Sequence, residues 1–555
     1  MHPCREAGKL IVEVKKYIVI CRGAKMIRPL LHIALTIILW IPVSSSFGSD
    51  FQISPEFTIA SDVTQANSDT QTPGKPGIGF DGTNYLVVSC REEELSANII
   101  GVLISTDGEI ESSFQIADLN PVYGCSQQRP SVAFDGTNYL AVFSQVTATG
   151  SRSVVGARIT PAGTVLDGPS GFTILTAISD SAAVAFDGSS FLVVSARFSS
   201  DTLHDIVGAK LSTDGHVLDE FPIFTAPGGQ VFSSVAFDGT NYFVIWSDTR
   251  SGSPVGPDAD IYGTRVSPEG FVLDPEGIPV STALGSQSSP HIIFDGNNYI
   301  AVWHDTRNDP DIFPPVLDIY GTRITPDGFP LDGSPDTGGI AIATHPYPQT
   351  HPVVSFDGTN YVVTWEMSFF YNEPVGIFAA RVSTNGILID GPPDDGGILI
   401  SEPSCFACRL VWPNSLFSGR NILLTWVNNT EVAGTAKDIV GVLVTSSAVQ
   451  LEIQIDVKTL NPNSRGKINV ALLTTGDFDA STVDVSTVKF GPSEAQPVGY
   501  RLRDVDSDGD WDYVLRFAID ETGIVCGDSE ATVTGETING EQFTGTDTIK
   551  TVGCK

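Results

Sequence analysis

Short apolar runs, broken at regular intervals by Gly, Pro, Asp and Asn, recur through most of this chain. Two patterns alternate. Runs such as Tyr139-Leu-Ala-Val-Phe are apolar at every position, which predicts strands covered on both faces, as in a sheet held between two neighbours. Segments such as Ile453-Gln-Ile-Asp-Val alternate strictly, which predicts strands with one covered face.

The breaks are themselves periodic. Phe80-Asp-Gly-Thr-Asn opens the first copy of a phrase that returns at Phe134, Phe186, Phe237, Phe294 and Phe356, with a decayed copy, Phe417-Ser-Gly-Arg-Asn. Counted from the residue after each Phe, the gaps are 54, 52, 51, 57, 62 and 61 residues, room for one small antiparallel sheet per copy. The fourth copy shows the plan. Ser234-Val-Ala-Phe is a first strand, Asp238-Gly-Thr-Asn a hairpin turn, Tyr242-Phe-Val-Ile-Trp a second strand and Ile261-Tyr-Gly-Thr-Arg-Val a third. Ser267-Pro-Glu-Gly then turns the chain toward a fourth strand near Ile278-Pro-Val-Ser. Asp-Gly and Pro-Glu-Gly supply the positive φ and the fixed φ that such turns need.

After the last third strand, at Ile439 to Val444, no fourth strand follows, whereas Phe57-Thr-Ile-Ala near the start resembles the fourth-strand segments. The N-terminal segment is therefore expected to complete the last sheet, closing a ring and removing free edges. The fold class expected is all-β: a seven-bladed β-propeller over residues 49–449, then a small β-sandwich over 450–555, preceded by a leader over 1–48.

Composition narrows the function. The chain carries 31 Lys and Arg against 65 Asp and Glu, a net charge of −34; after Ser46 the balance is 24 against 63, or −39. Such a surface repels nucleic acid and anionic lipid, whose binding needs Lys and Arg to displace counterions. Residues 29–43, apolar and preceded by Lys25 and Arg28, have the layout of a secretory signal peptide and are too short for a membrane span. Met26 opens that signal by itself, which would make the first 25 residues an upstream extension. Export to the periplasm, cell surface or medium is expected, without an integral membrane segment, and as a monomer. Six cysteines remain after the leader; neighbourhood favours the disulfides Cys90–Cys125, Cys405–Cys408 and Cys526–Cys554 among the 15 possible pairings.

In a meander of this kind the uniform turns share one face and the variable loops the other, where function usually sits. The longest variable loops begin alike, Trp246-Ser-Asp-Thr-Arg250 and Trp303-His-Asp-Thr-Arg307. Asp248, Arg250, Asp305 and Arg307 are the candidate ligand-binding patch, for a glycan, a protein or a cation; the competing reading is that each Asp and Arg pair braces its loop. Trp246, Trp303, Trp365 and Trp426 share one strand position and are expected to pack between sheets. His291, His304, His345 and His351 lack zinc spacing. No GxSxG, HExxH or Walker sequence occurs. Paired carboxylates for glycoside cleavage would converge from different repeats and leave no linear trace.

One motif lies outside the repeats. Residues 504–512, Asp-Val-Asp-Ser-Asp-Gly-Asp-Trp-Asp, place carboxylates at alternate positions with Gly at the sixth, a pattern that wraps oxygen ligands round a hard cation. Position twelve is Leu515 rather than the Glu of an EF-hand, and the chain continues as a strand. The expected metal is calcium, with Asp504, Asp506, Asp508, Asp510 and Asp512 as ligands, Asp510 through its carbonyl.

Over about nine residues this loop resembles the Asp-rich loops of dockerins and thrombospondin type-3 repeats, which supports those ligand roles; the duplicated dockerin helix is absent, so cohesin binding is not implied. Residues 55 to 445 resemble the FDGTNYLVVW-type propeller repeats of secreted and surface bacterial proteins, and 453 to 554 an accessory C-terminal domain of exported ones. Both resemblances imply architecture more than activity. The small first-strand residues Gly77, Ser131, Ala183 and Ser234 lead to an expectation of a non-catalytic binding or surface-interaction protein with a calcium-stabilised C-terminal domain. A polysaccharide hydrolase or lyase, and a structural cell-surface component, are the alternatives.

Overall fold

The computed structural model describes residues 51–64, 74–93, 96–119, 129–146, 151–178, 182–251, 259–308, 316–368, 375–403, 408–430, 437–446, 449–450, 453–455, 459–462, 464–475, 478–538 and 542–553. The expected leader, Cys125, Cys405 and Cys554 lie outside them, as do residues 252–258 and 309–315 of the two long loops.

The described chain is built of β-strands, with three-residue 3-10 turns and no helix long and apolar enough to cross a membrane. The repeats form four-stranded antiparallel sheets resembling propeller blades. In the fourth repeat Gln230–Phe237, Tyr242–Asp248, Asp260–Val266 and Ile278–Ser281 pair in chain order; in the fifth, Gln287–Phe294, Tyr299–Asp305, Asp318–Ile324 and Ile340–Ala343 do the same. The last repeat takes its fourth strand from the other end of the chain: Phe57–Thr64 pairs with Lys437–Ser446, Phe57 opposite Gly441 and Ala60 opposite Ile439. First strands touch their successors in sequence order, and Cys408–Phe417 touches Gly77–Phe80, so the contacts run round a closed circuit.

The apolar runs explain this stacking. One core cluster joins Phe243 and Ile245 to Tyr299, Ala301 and Trp303, residues of two successive sheets. Trp246, Trp303, Trp365 and Trp426 are fully buried between sheets, as their shared position predicts. Each phrase has a local and a long-range use. The Asp81 carboxylate accepts from the Thr83 and Asn84 amides at 2.7 Å, fixing the turn in which Gly82 takes φ +96°. The Tyr that follows then reaches the preceding repeat's turn: Tyr139 to the Asn84 carbonyl at 2.8 Å, Tyr299 to Asn241 at 3.0 Å, and Tyr85 across the seam to Asn421 at 2.6 Å.

A second brace recurs in the third strands. Arg158, Arg265, Arg323 and Arg381 each grip the Asp nine residues on, Asp167, Asp274, Asp332 and Asp390, at 2.6 to 2.9 Å. The C-terminal residues form two four-stranded sheets, one centred on Lys467–Leu472 and Asp512–Ala518, the other on Glu530–Thr537 and Gln542–Thr548. Leu515 and Phe517 of the first share a core with Val533 and Phe543 of the second.

Candidate active site at the mouth of the central cavity

Because every first strand ends on the Phe of the phrase, residues at equal distance before it occupy equivalent places round the circuit. Five residues before stand Lys75, Arg129, Ser181, Phe232, Ser289, His351 and Trp412. Ser181 lies outside the described residues; the other six line one cavity of about 700 Å³ enclosed by the first strands.

Four of these side chains are aimed by a shared backbone distortion. Pairing between first and second strands skips two residues, between Val231 and Ser234, Ser288 and His291, Thr350 and Val353, and Val411 and Asn414. Within each skip one residue takes a left-handed φ: Phe232 at 57°, Ser289 at 54°, His351 at 51° and Trp412 at 59°. For residues other than glycine a positive φ costs about 1–3 kcal/mol apiece, and such strain gathers where function keeps it. Wholly buried glutamines precede three of the bulges, and Gln230 and Gln287 donate to Asp248 and Asp305 at 3.5 and 3.4 Å.

The side chains so presented form a continuous array. His351 Nδ1 lies 2.6 Å from the buried Glu366 carboxylate, which also accepts from the Trp412 amide at 3.1 Å. The His351 ring packs on Trp412 with centroids 3.9 Å apart, and the His304 ring stands 6.2 Å from it. The Arg129 guanidinium sits 4.4 Å over Trp412 and 5.5 Å from Phe232.

The same cavity is lined by Lys75 and His291. Burial, with the Arg129 charge behind it, lowers the Lys75 ammonium to about 7. His291 is held well below the ordinary imidazole value by burial and then by Lys75. Its Nδ1 accepts from the Val354 amide at 3.2 Å, so the neutral ring carries its proton on Nε2. An acidic protein thus concentrates basic side chains at its centre.

His291 also belongs to an inner belt three residues before each Phe. Ser131 accepts from the Val184 amide and Ser234 from the Ile292 amide at 3.3 Å, and Asn414 donates to the Pro76 carbonyl at 2.8 Å. Every one of these bonds crosses to the next sheet. The belt holds Gly77, Ser131, Ala183 and Ser234, the small residues that suggested a featureless channel; two positions earlier the residue type changes from each repeat to the next. That change was the available signal.

Asp248, Arg250, Asp305 and Arg307 occupy a different place. Both carboxylates are fully buried, paired with their arginines at 2.6 Å and accepting from the Trp246 and Trp303 indoles at 2.7 and 2.9 Å. Arg250 is sandwiched between Phe224 and Tyr262, and Arg307 lies over Tyr320. The geometry is that of a clasp holding the loop and, through Gln230 and Gln287, the bulge.

In the Asp-rich loop, carboxylate oxygens of Asp504, Asp506 and Asp512 gather within 4.8 Å of one another, as do those of Asp506, Asp508 and Asp510. Asp512 is buried and accepts from the Thr474 and Val505 amides at 2.9 and 2.7 Å. Asp510 Oδ1 is buried with no hydrogen-bond donor, and desolvation together with the Asp508 carboxylate raises this group to about 6. Crowded acceptors with an orphaned oxygen suit a hard cation.

No protein family and no curated protein matches the sequence. Among solved structures the chain is similar to the β-propeller domain of the Trilobed protease from Pyrococcus furiosus, at 12% identity over 67% of this chain and 94% of that one, TM-score 0.38. It is also similar to the α-L-arabinanase of Penicillium chrysogenum, at 11% identity over 71% and 98%, TM-score 0.38, and to a thermostable family-43 glycoside hydrolase, at 14% over 64% and 99%, TM-score 0.33. The expectation of a non-catalytic binding or surface-interaction protein is corrected here. The cavity is lined by Lys75, Arg129, His291 and His351 where small residues were expected, and the Glu366 carboxylate stands behind His351.

Proposed function

We propose that this chain is an exported, seven-bladed β-propeller enzyme, a hydrolase or lyase that cleaves extracellular polysaccharide at the mouth of its central cavity. The observation that carries the reading is the set of four strained bulges at Phe232, Ser289, His351 and Trp412. A binding surface or a spacer has no need of left-handed backbone at equivalent points of four strands, whereas a reaction centre gains from side chains fixed before substrate arrives. Phe232 supplies an apolar face for a sugar ring, and Lys75, His291, His351 and Glu366 supply groups that exchange protons.

The full chain should release reducing ends from at least one member of a panel of acidic and neutral glycans, and His351→Ala should reduce that rate by about 10²-fold or more. Turnover unchanged in His351→Ala, or no release from any glycan, would remove the reading.

The C-terminal residues complete the proposal as a β-sandwich stabilised by calcium held at Asp504, Asp506, Asp508, Asp510 and Asp512. Cys90, Cys408 and Cys526 are each in a disulfide, which supports an oxidising, extracytoplasmic setting. Millimolar calcium should raise the melting temperature of the C-terminal transition and chelator should lower it, because a ligand bound only by the native state stabilises it. A transition indifferent to both excludes the metal.

A further inference from the structure

We infer that the substrate is a glycan of uronic acids and that it is cut by elimination, with Lys75 taking the proton next to the sugar carboxylate. The inference rests on the polysaccharide-cleaving reading and asks which bond that site can break.

Hydrolysis of a glycosidic bond ordinarily uses two carboxyl groups flanking it. Among the described residues Glu366 stands behind the cavity lining, buried, and His351 already holds it at 2.6 Å. Asp295 lines the cavity, but its carboxylate is taken up by the Asn297 and Asn298 amides and by the Tyr361 hydroxyl. The cavity has instead an excess of basic groups: Lys75, Arg129 and His291, in a chain of net charge −34.

These groups match the needs of elimination. A uronate carboxylate entering beside Arg129 and the Nε2 proton of His291 has its charge offset, and this makes its neighbouring C5 hydrogen removable. Lys75 makes no ion pair among the described residues, and burial beside Arg129 favours its neutral amine, which has the lone pair a base requires. The step balances without an oxidant. The Lys75 lone pair takes the C5 proton, the C5–H electrons form the C4=C5 double bond, and the C4–O4 bond breaks with its electrons leaving on O4, which is protonated by water. The products are a new reducing end and a 4,5-unsaturated uronate.

The test is to incubate the full chain with polygalacturonate and, separately, with arabinan. Reducing ends and the ultraviolet absorbance of the conjugated C4=C5 uronate are followed together. The expected result is that both rise in parallel on polygalacturonate. Lys75→Arg, which keeps the charge but cannot lose it, should then retain KM while kcat falls by about 10²-fold or more. Lys75→Met should lose turnover while melting no lower than the parent, which separates loss of the base from loss of the fold. Reducing ends released without the absorbance would overturn the elimination and leave the enzyme reading standing. Absorbance persisting in Lys75→Met would overturn the role of Lys75. No cleavage of either polymer would count against the enzyme reading itself.

Discussion

At the scale of single residues, the site is paid for in backbone strain and in displaced protonation. Ser289 shows the first most cleanly, since its small side chain adds little packing to its φ of 54°. Replacing it by glycine relieves about 1–2 kcal/mol of left-handed strain and returns about 0.4–1 kcal/mol through the freer unfolded chain. Ser289→Gly should therefore unfold in urea about 0.5–1 kcal/mol later than the parent, while activity falls as the bulge loosens. A destabilised variant would mean that the bulge is not strained. Protonation gives the second case. Lys75 falls from 10.5 in the open chain to about 7 in the fold, so between those values the unfolded chain binds the extra proton. Stability must then rise with pH across that window, and below about 7, where both states are protonated, the penalty is fully present. Lys75→Met should remove that part of the slope and be the more stable protein at pH 7, which paired urea titrations at pH 7 and 10 would check. His291 acts in the acid range: its proton is disfavoured by the fold, so stability drops as pH falls below 6.5.

At the scale of elements, the sheets were legible and the bulges were not. Asp238-Gly239 and Ser267-Pro-Glu-Gly270 specify turns through local chemistry, and the runs between them could only be strands, so even the borrowed strand Phe57–Thr64 could be read from its likeness to Ile278–Ser281. A two-residue skip at Phe232 has no such signature, because Phe is an ordinary strand residue and the positive φ is imposed by tertiary packing. The loop clasp was one of the two readings the sequence offered for these residues. In sequence Asp248 and Arg250 fit a ligand-binding patch or a brace alike, because the Trp246 indole and Gln230 that meet the buried carboxylate come from the strands on either side of the turn. Between sheets, the belt three residues before the Phe carries hydrogen bonds that strand pairing within one sheet cannot. Ser234→Ala would leave the Ile292 amide without its acceptor inside the core, at a cost of about 1–3 kcal/mol. The matching change Thr240→Ala, on an exposed turn, should cost under about 0.5 kcal/mol. Equal effects of the two substitutions in chemical denaturation would show that the belt does not couple neighbouring sheets.

At the scale of the whole molecule, two fields of opposite sign meet a charged substrate. The chain after Ser46 carries 63 acidic against 24 basic residues, while the cavity holds the Arg129 guanidinium beside Lys75 and His291. The closed circuit of first strands, sealed by Phe57 opposite Gly441, keeps these two environments apart. A polyuronate approaching the disc first meets the acidic exterior, where charges lie in water and are screened beyond about 10 Å at 0.1 M salt. Only the sugar that enters the cavity meets the Arg129 cation, in surroundings where added salt penetrates poorly and attraction is less screened. Raising salt from about 0.01 to 0.1 M should thus weaken the repulsion more than the attraction, and KM for polygalacturonate should fall. A short uronate oligomer, with little charge left outside the cavity, should show a much smaller change. If KM instead rises from the lowest salt upward for both, the inner Arg129 charge governs encounter as well as binding, and the acidic exterior contributes solubility alone.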